Sequence, residues 1–263
     1  MIETKIAKLK NNLKQMGSVA VAYSAGVDST FLLKIAREVL GEKAVAITVI
    51  SESFPSIEET EAVEFLAGEN IQHEFIRISQ MDIDGFVANT SDRCYICKKA
   101  IFGHIKKAAE SMGIEYVLDG TNIDDMGDYR PGMKALDELG VVSPLKDAGM
   151  GKRNIRKLSK QLGLKTWDKP AYACLATRIQ TGEEITTEKL SKIEAGEKYL
   201  MSEGFRQVRV RLRGSKTSIE VDRDSVSRLK SMESQVIKKL EELGLKNVSI
   251  DPAGYKMGNM NSQ

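Results

Sequence analysis

The stretch that most restricts how this chain can fold is Val19 to Ser29, VAVAYSAGVDS, with the run Thr30 to Leu40 behind it. A short apolar, β-branched segment ends at Tyr23, small residues turn the chain, and an amphipathic segment follows. The hydrophobic period therefore changes from that of a strand to that of a helix across Ser24–Ser29. Such a junction aims backbone N–H groups at a ligand from the positive end of a helix, which makes an anion site, most often for phosphate. Ser24, Ser29 and Thr30 add hydroxyls, Gly26 permits close backbone approach, and Asp28 can meet a magnesium ion or a substrate amine. The pattern is not the GxxxxGK(S/T) loop, because no lysine follows the glycine. Without further context the same six residues also read as an ordinary strand–helix turn with Asp28 as a cap.

The flanking sequence repeats the theme. Residues 1–17 read as a helix with Ile6, Leu9, Leu13 and Met16 on one side. Strands are expected at 43–50 (KAVAITVI) and 71–78 (IQHEFIRI), with a helix from Glu58 to Gly68 between them. Cys94–Met112 reads as a helix, and Tyr116 to Leu118 as a strand that delivers Asp119, Gly120 and Thr121 to the same sheet edge. Val141–Leu145 reads as a short strand or extended segment, and Asn154–Gln161 as a helix. This β-loop-α repetition predicts a mostly parallel sheet with helices on both faces and ligands beyond the carboxyl ends of the strands. Past Pro170 the reading is helix 187–202, strands in FRQVRVRLR and KTSIEVDR joined through Gly214, a helix 224–242, and a closing strand in NVSIDP. The tail around YKMGNMNSQ reads as frayed.

With 263 residues the chain has room for one large domain or two modest ones. A net charge of +2 argues against a generic nucleic-acid binder, while leaving room for a local basic cluster. No apolar run is long enough for a membrane span, and the N-terminal segment lacks the apolar core of a signal peptide, so a cytoplasmic location is expected.

Three cysteines without a disulfide-dense pattern agree with a reducing compartment. Cys94 and Cys97 form CYIC, and Cys174 lies in ACLATR. A lone CxxC is compatible with a redox dithiol, half of a zinc site, or incidental thiols at a helix start, and Cys174 with a small buried apolar role. Only His73 and His104 are available to complete a zinc site, which is thereby poorly supplied. Three thiolates can instead hold three irons of a 4Fe–4S cluster. Arg209, Arg211 and Arg213 alternate with apolar residues, so all three share one strand face, most simply a solvated one.

SAGVDS resembles the SGGxDS pyrophosphate loop of the ATP pyrophosphatases, with Ala25 in place of a glycine. The segments 91–102, 119–145, 167–179 and 204–214 extend the similarity to the LarE-type ATP-dependent sulfur transferases of nickel-pincer nucleotide synthesis. The resemblance implies a parallel-sheet α/β PP-loop domain over residues 1–175 and a smaller C-terminal α/β domain over 176–263 for substrate binding and oligomerisation. It implies ATP and Mg2+ at Ser24, Ala25, Gly26, Val27, Asp28 and Ser29, with Asp119, Asn122, Asp124 and Asp125 near the nucleotide. Arg130 is a further phosphate candidate, Arg93 flanks the first cysteine, and Lys98 and Lys99 read equally as helix surface. The implied substrate is pyridinium-3,5-biscarboxylic acid mononucleotide, its phosphate among Arg178, Glu197, Arg209 and Arg211, with Glu220 as a possible further partner. Sulfur then comes through a 4Fe–4S cluster on Cys94, Cys97 and Cys174, or from a sacrificial Cys174. No nucleic-acid or membrane partner is implied, and the assembly is a homo-oligomer, hexameric in family members. A tRNA-thiolating enzyme, an amide-forming synthetase and a non-enzymatic nucleotide sensor are the alternatives.

Overall fold

The computed structural model describes residues 2–127, 131–170 and 172–256. They form two compact units, one of Met1–Ser51, Ser56–Ile78 and Cys94–Tyr172, the other of Glu52–Pro55, Ser79–Arg93 and Ala173–Gln263.

The first unit is built on a four-stranded parallel sheet of β1 (Val19–Ala22), β2 (Ala44–Ile50), β3 (His73–Arg77) and β4 (Tyr116–Leu118), in the order β3-β2-β1-β4. Its helices are α1 (Ile2–Met16), α2 (Val27–Leu40), α3 (Ser56–Gly68), α4 (Arg93–Ser111), α5 (Pro131–Glu138), α6 (Pro144–Asp147) and α7 (Lys152–Gln161). All seven residues of β2, AVAITVI, are buried, as expected of a parallel strand covered on both faces. The period of two then sorts side chains between two cores. Val19 and Val21 of β1 pack with Leu9 and Leu13 of α1, Phe31 and Leu33 of α2, Leu66 of α3 and Ile155 of α7. Ala20 of β1 and Val45, Ile47 and Val49 of β2 face the other way, onto Phe102 and Ile105 of α4 and Leu136 of α5. α1 holds on largely through Leu9 and Leu13, each fully buried and worth about 2 kcal/mol. The expected strand at Val141–Leu145 shrinks to one parallel bridge between Leu118 and Val142, because Pro144 opens α6 at once.

In the second unit β5 (Val208–Arg213) and β6 (Lys216–Val221) pair antiparallel, and β7 (Val248–Ile250) adds in parallel to β6. α8 (Thr187–Ser202) packs on β5. Gly196 permits that approach: a Cβ there would lie 3.1 Å from Leu245 and 3.4 Å from Val210. The expected helix over 224–242 is two helices, α9 (Val226–Ser231) and α10 (Glu233–Glu242), parted at Met232, whose N–H turns back to the Leu229 carbonyl. No residue at the break is a helix breaker, so composition does not explain it. Tyr255 is tied in rather than frayed, its N–H donating to the Val221 carbonyl at 2.7 Å. The later tail, 257–263, lies outside the described residues. Among the described residues no helix is long and apolar enough to cross a membrane.

Candidate functional site

Tyr23 leaves β1 with its N–H bonded to Ile47 and its carbonyl to the Thr48 hydroxyl, so the loop starts from a fixed point at the strand's carboxyl end. Ser24 and Ser29 close the loop on itself, their hydroxyls 3.2 Å apart and the Ser24 N–H 3.3 Å from Ser29 Oγ. α2 begins earlier than the hydrophobic period suggests. Val27, Asp28 and Ser29 are its first turn, whose N–H groups have no intrahelical acceptors. Gly120 packs against this turn, since a Cβ there would sit 3.1 Å from the Ser29 nitrogen. Ala25 has φ +53°, and among the described residues the other non-glycine residues with positive φ are asparagines, which tolerate that region. An alanine held left-handed costs roughly 1–2 kcal/mol, and glycine regains that less what it adds to the unfolded chain's entropy. Ala25→Gly is therefore expected to stabilise the protein by up to about 1 kcal/mol, read from denaturant unfolding.

Asp28 does not cap the helix; Gly26 is the N-cap, and the Asp28 carboxylate pairs with the Lys152 ammonium instead. Its Oδ1 is buried and has no hydrogen-bond partner among the described residues. Burial raises its pKa despite Lys152, and the nearby Asp125 charge pushes the same way. An orphaned buried carboxylate oxygen is a ligand of the kind a divalent cation takes, so the chemistry of Asp28 suits magnesium. A carboxyl with a raised folded pKa binds protons more tightly in the folded state, so stability falls as pH climbs from the unfolded value near 3.8 through the folded one. Asp28→Asn is thus expected to raise the melting temperature at neutral pH, the gain fading to nothing below about pH 3.8 in melts across that range.

The acidic group after β4 divides by role. Both Asp119 oxygens are taken, by the Ser143 hydroxyl at 2.6 Å and the Thr121 hydroxyl, which ties β4 to the segment ahead of α6. Asn122 is fully buried and donates to Asp125 through both its backbone and its amide. Asp124 receives the Lys152 backbone N–H at 2.7 Å, at the start of α7. Two lysines that sequence reasoning passed over meet the loop: Lys152 at Asp28, and Lys169, whose Nζ lies 3.1 Å from the Ala25 carbonyl. Lys169 could have been suspected only from its position in the family segment WDKPAYACLATRI.

Within the second unit Cys174 is exposed, and its thiol donates to Ser53 Oγ at 2.9 Å. Ser53 is buried, with its N–H on the Gln80 side chain, while its carbonyl receives the Leu175 N–H. Arg178 grips the same loop through the Ala173 and Cys174 carbonyls, at 2.7 and 3.2 Å. It is completely buried and paired with Glu197, which also accepts from the Val210 N–H on β5. Arg211 is buried and pairs with Glu220 at 2.7 Å while reaching the Thr177 carbonyl. Arg209 is 2% exposed, with the Tyr255 ring 5.0 Å from its guanidinium. Burial and, next, the Arg178 charge pull its pKa down to about 10. The strand face is therefore not solvated as the alternation suggested; only Arg213 at its end is exposed. Arg178, Arg209 and Arg211 are thus buried together with Glu197 and Glu220, a grouping of guanidinium groups whose chemistry suits an anion.

Cys94 and Cys97 stand one turn apart at the start of α4, in the first unit. Among the described residues no group of three His, Cys, Asp or Glu side chains is gathered for a metal. The donor chemistry of three thiols nonetheless suits iron. Arg93 bonds Asn89 and the Ala176 carbonyl, the latter at 3.1 Å, so it supports the loop that carries Cys174. Lys99 pairs with Glu138 on the helix surface. Arg130 lies outside the described residues.

A parallel α/β sheet whose first strand opens into a self-closed loop and a helix start is the architecture shared by PP-loop and Rossmann-like nucleotide-binding folds. No family model matches the chain. It is 35% identical over 263 residues to the pyridinium-3,5-bisthiocarboxylic acid mononucleotide synthase of Lactiplantibacillus plantarum, covering 99% of this chain and 95% of that one. An uncharacterized protein of Synechocystis is 37% identical over 263 residues, covering 99% and 98%. A subunit of the glutamine-hydrolyzing GMP synthase of Thermoplasma volcanium is 27% identical over 208 residues, covering 72% and 66%. The chain belongs to the LarE-type family of PP-loop ATP pyrophosphatases.

Proposed function

We propose that this protein is an ATP-dependent sulfur transferase that adenylates a carboxylate of pyridinium-3,5-biscarboxylic acid mononucleotide and replaces the carboxyl oxygen with sulfur. The observation that carries this reading is a similarity of 35% identity, over 99% of this chain, to a relative named for the bisthiocarboxylic product. A carboxylate is a poor electrophile because oxide would have to leave. Attack of its oxygen on the α-phosphorus of ATP forms an acyl adenylate and expels pyrophosphate; sulfur then attacks the acyl carbon and AMP departs. In the first step the N–H groups of Gly26 to Ser29 would stabilise the charge growing on pyrophosphate. Asp28 would hold magnesium, which supplies charge neutralisation at the phosphates. In the second unit Arg178, Arg209 and Arg211, balanced by Glu197 and Glu220, would take the substrate's own phosphate. The division of labour in this reading gives activation to residues 1–175 and substrate binding and self-association to 176–263, whereas the compact units place Ala173–Gln263, and so Cys174, in the second.

For the sulfur donor, Cys94, Cys97 and Cys174 would hold a 4Fe–4S cluster, which when bound supplies a site for incoming sulfide. A second reading rests on Cys174 itself: it is exposed and its loop is held by Ser53 and Arg178, as a thiol that attacks and surrenders its own sulfur requires.

The protein incubated with ATP, magnesium, sulfide and the dicarboxylate mononucleotide is expected to release AMP and pyrophosphate and to yield a thiocarboxylate detectable by mass spectrometry. Turnover that forms only an amide, with ammonia as nucleophile, would move the protein to the synthetase branch represented by its GMP synthase relative.

A further inference from the structure

The left-handed residue of the phosphate loop is gripped by a buried side chain. Lys169 is 8% exposed, and its ammonium lies 3.1 Å from both the Ala25 carbonyl and Glu58 Oε1 while also bonding Glu61. The Tyr172 ring lies 5.3 Å from the same nitrogen. Arg156 of α7 sets the backbone that carries it, donating to the Trp167 and Lys169 carbonyls at 2.8 Å each. The same helix delivers Lys152 to Asp28, so α7 meets the loop directly through Lys152 and supports it indirectly through the backbone of Lys169.

Two carboxylates already balance the charge of Lys169. An ammonium has three donors, and the third goes to a neutral carbonyl on the one non-asparagine, non-glycine residue with positive φ among the described residues. A lysine serving only as counter-ion to Glu58 and Glu61 has no need of that contact. Rotating the Ala25–Gly26 peptide out of the left-handed form would break the contact and turn the following N–H groups away from an anion in the loop.

We propose that Lys169 is a positioning residue for the nucleotide, holding the Ala25–Gly26 peptide so that the Gly26 to Ser29 N–H groups face the phosphates. It does with a side chain what a glycine at position 25 would leave to the backbone. The inference rests on the reading of Ser24–Ser29 as the triphosphate loop.

The test is calorimetric titration of the full chain with Mg–ATP. Lys169→Met is combined with Glu58→Gln, so that no buried carboxylate is stranded, and thermal melts verify folding. Affinity is expected to fall roughly tenfold, the population factor of a left-handed alanine, and to return most of the way when Ala25→Gly is added. Lys169→Arg, which keeps both charge and donor, is expected to bind ATP as the parent does. Unchanged affinity in the Met variant overturns the proposal. So does a loss that glycine at 25 does not repair, because a purely structural or directly phosphate-binding lysine would be indifferent to the backbone freedom of residue 25. If the Met variant does not fold, the Arg variant decides: tenfold weaker ATP binding by a folded Lys169→Arg protein overturns the proposal, and parental binding supports it. Failure of the parent protein to bind ATP would instead remove the loop reading, a separately visible result.

Discussion

Cys174→Ala is expected to reduce thiocarboxylate formation to background while ATP-dependent release of pyrophosphate continues, with AMP held in the acyl adenylate until water hydrolyses it. The groups assigned to activation lie in the loop Ser24–Ser29 and at Asp28, whereas Cys174 contributes only its sulfur. Its thiol points at Ser53 Oγ and its carbonyl is held by Arg178, contacts that orient a nucleophile or ligand without demanding its chemistry for folding. Cys94→Ala and Cys97→Ala separate the two donors. If the three cysteines share a cluster, both variants lose iron, acid-labile sulfide and product together. If Cys174 gives up its own sulfur, both retain product, and the parent chain becomes lighter by the mass of hydrogen sulfide at Cys174 after one turnover. Undiminished product from Cys174→Ala would sink both versions and return this cysteine to a structural role.

Glu197→Ala is expected to cost about 3–5 kcal/mol of folding stability, the penalty for stranding a buried charge. The Glu197 carboxylate takes Arg178 Nε at 2.8 Å and Nη2 at 3.0 Å, and the Val210 N–H at 3.0 Å. Without it Arg178, wholly buried, keeps its charge beside Arg209, whose own pKa is already lowered by that neighbour. Denaturant unfolding of the whole chain measures the loss, and with two units the affected transition is expected to separate from the other. Phosphate or sulfate should restore part of the stability, since an anion bound to the folded cluster shifts the equilibrium by mass action. A loss below about 1 kcal/mol would mean that water or relaxation solvates Arg178 and that the cluster is not a sealed site.

How much of this was legible in the residues depended on range. The β1–loop–α2 junction was, because the change of hydrophobic period, the small residues and the hydroxyls are neighbours in the chain. The parallel sheet followed from the same alternation, and so did α8, whose bounds match the expected 187–202. The extent of α2 was not, since Val27, Asp28 and Ser29 are helical by backbone while reading as loop by side chain. Arg209 and Arg211 share a face by the period of two, but that period is silent on whether the face is covered. Lys152 and Lys169 were missed because their partners lie 124 and 144 residues away, and two lysines among 39 basic residues carry no local mark. Ser53 was read only as part of a turn for the same reason: its partner Cys174 is 121 residues distant.

The amino-acid sequence by itself determined the class of fold and the strand–loop–helix junction at Ser24–Ser29, because each is a pattern of residues within one or two turns of chain. Only the tertiary structure decided which charges are buried and what they hold: a lysine on the Ala25 carbonyl, a lysine on Asp28, and three buried arginines grouped with two buried glutamates. Those outcomes depend on desolvation and on contacts between distant segments. Local pattern sets where a side chain points along its own element, and packing alone sets what it meets there.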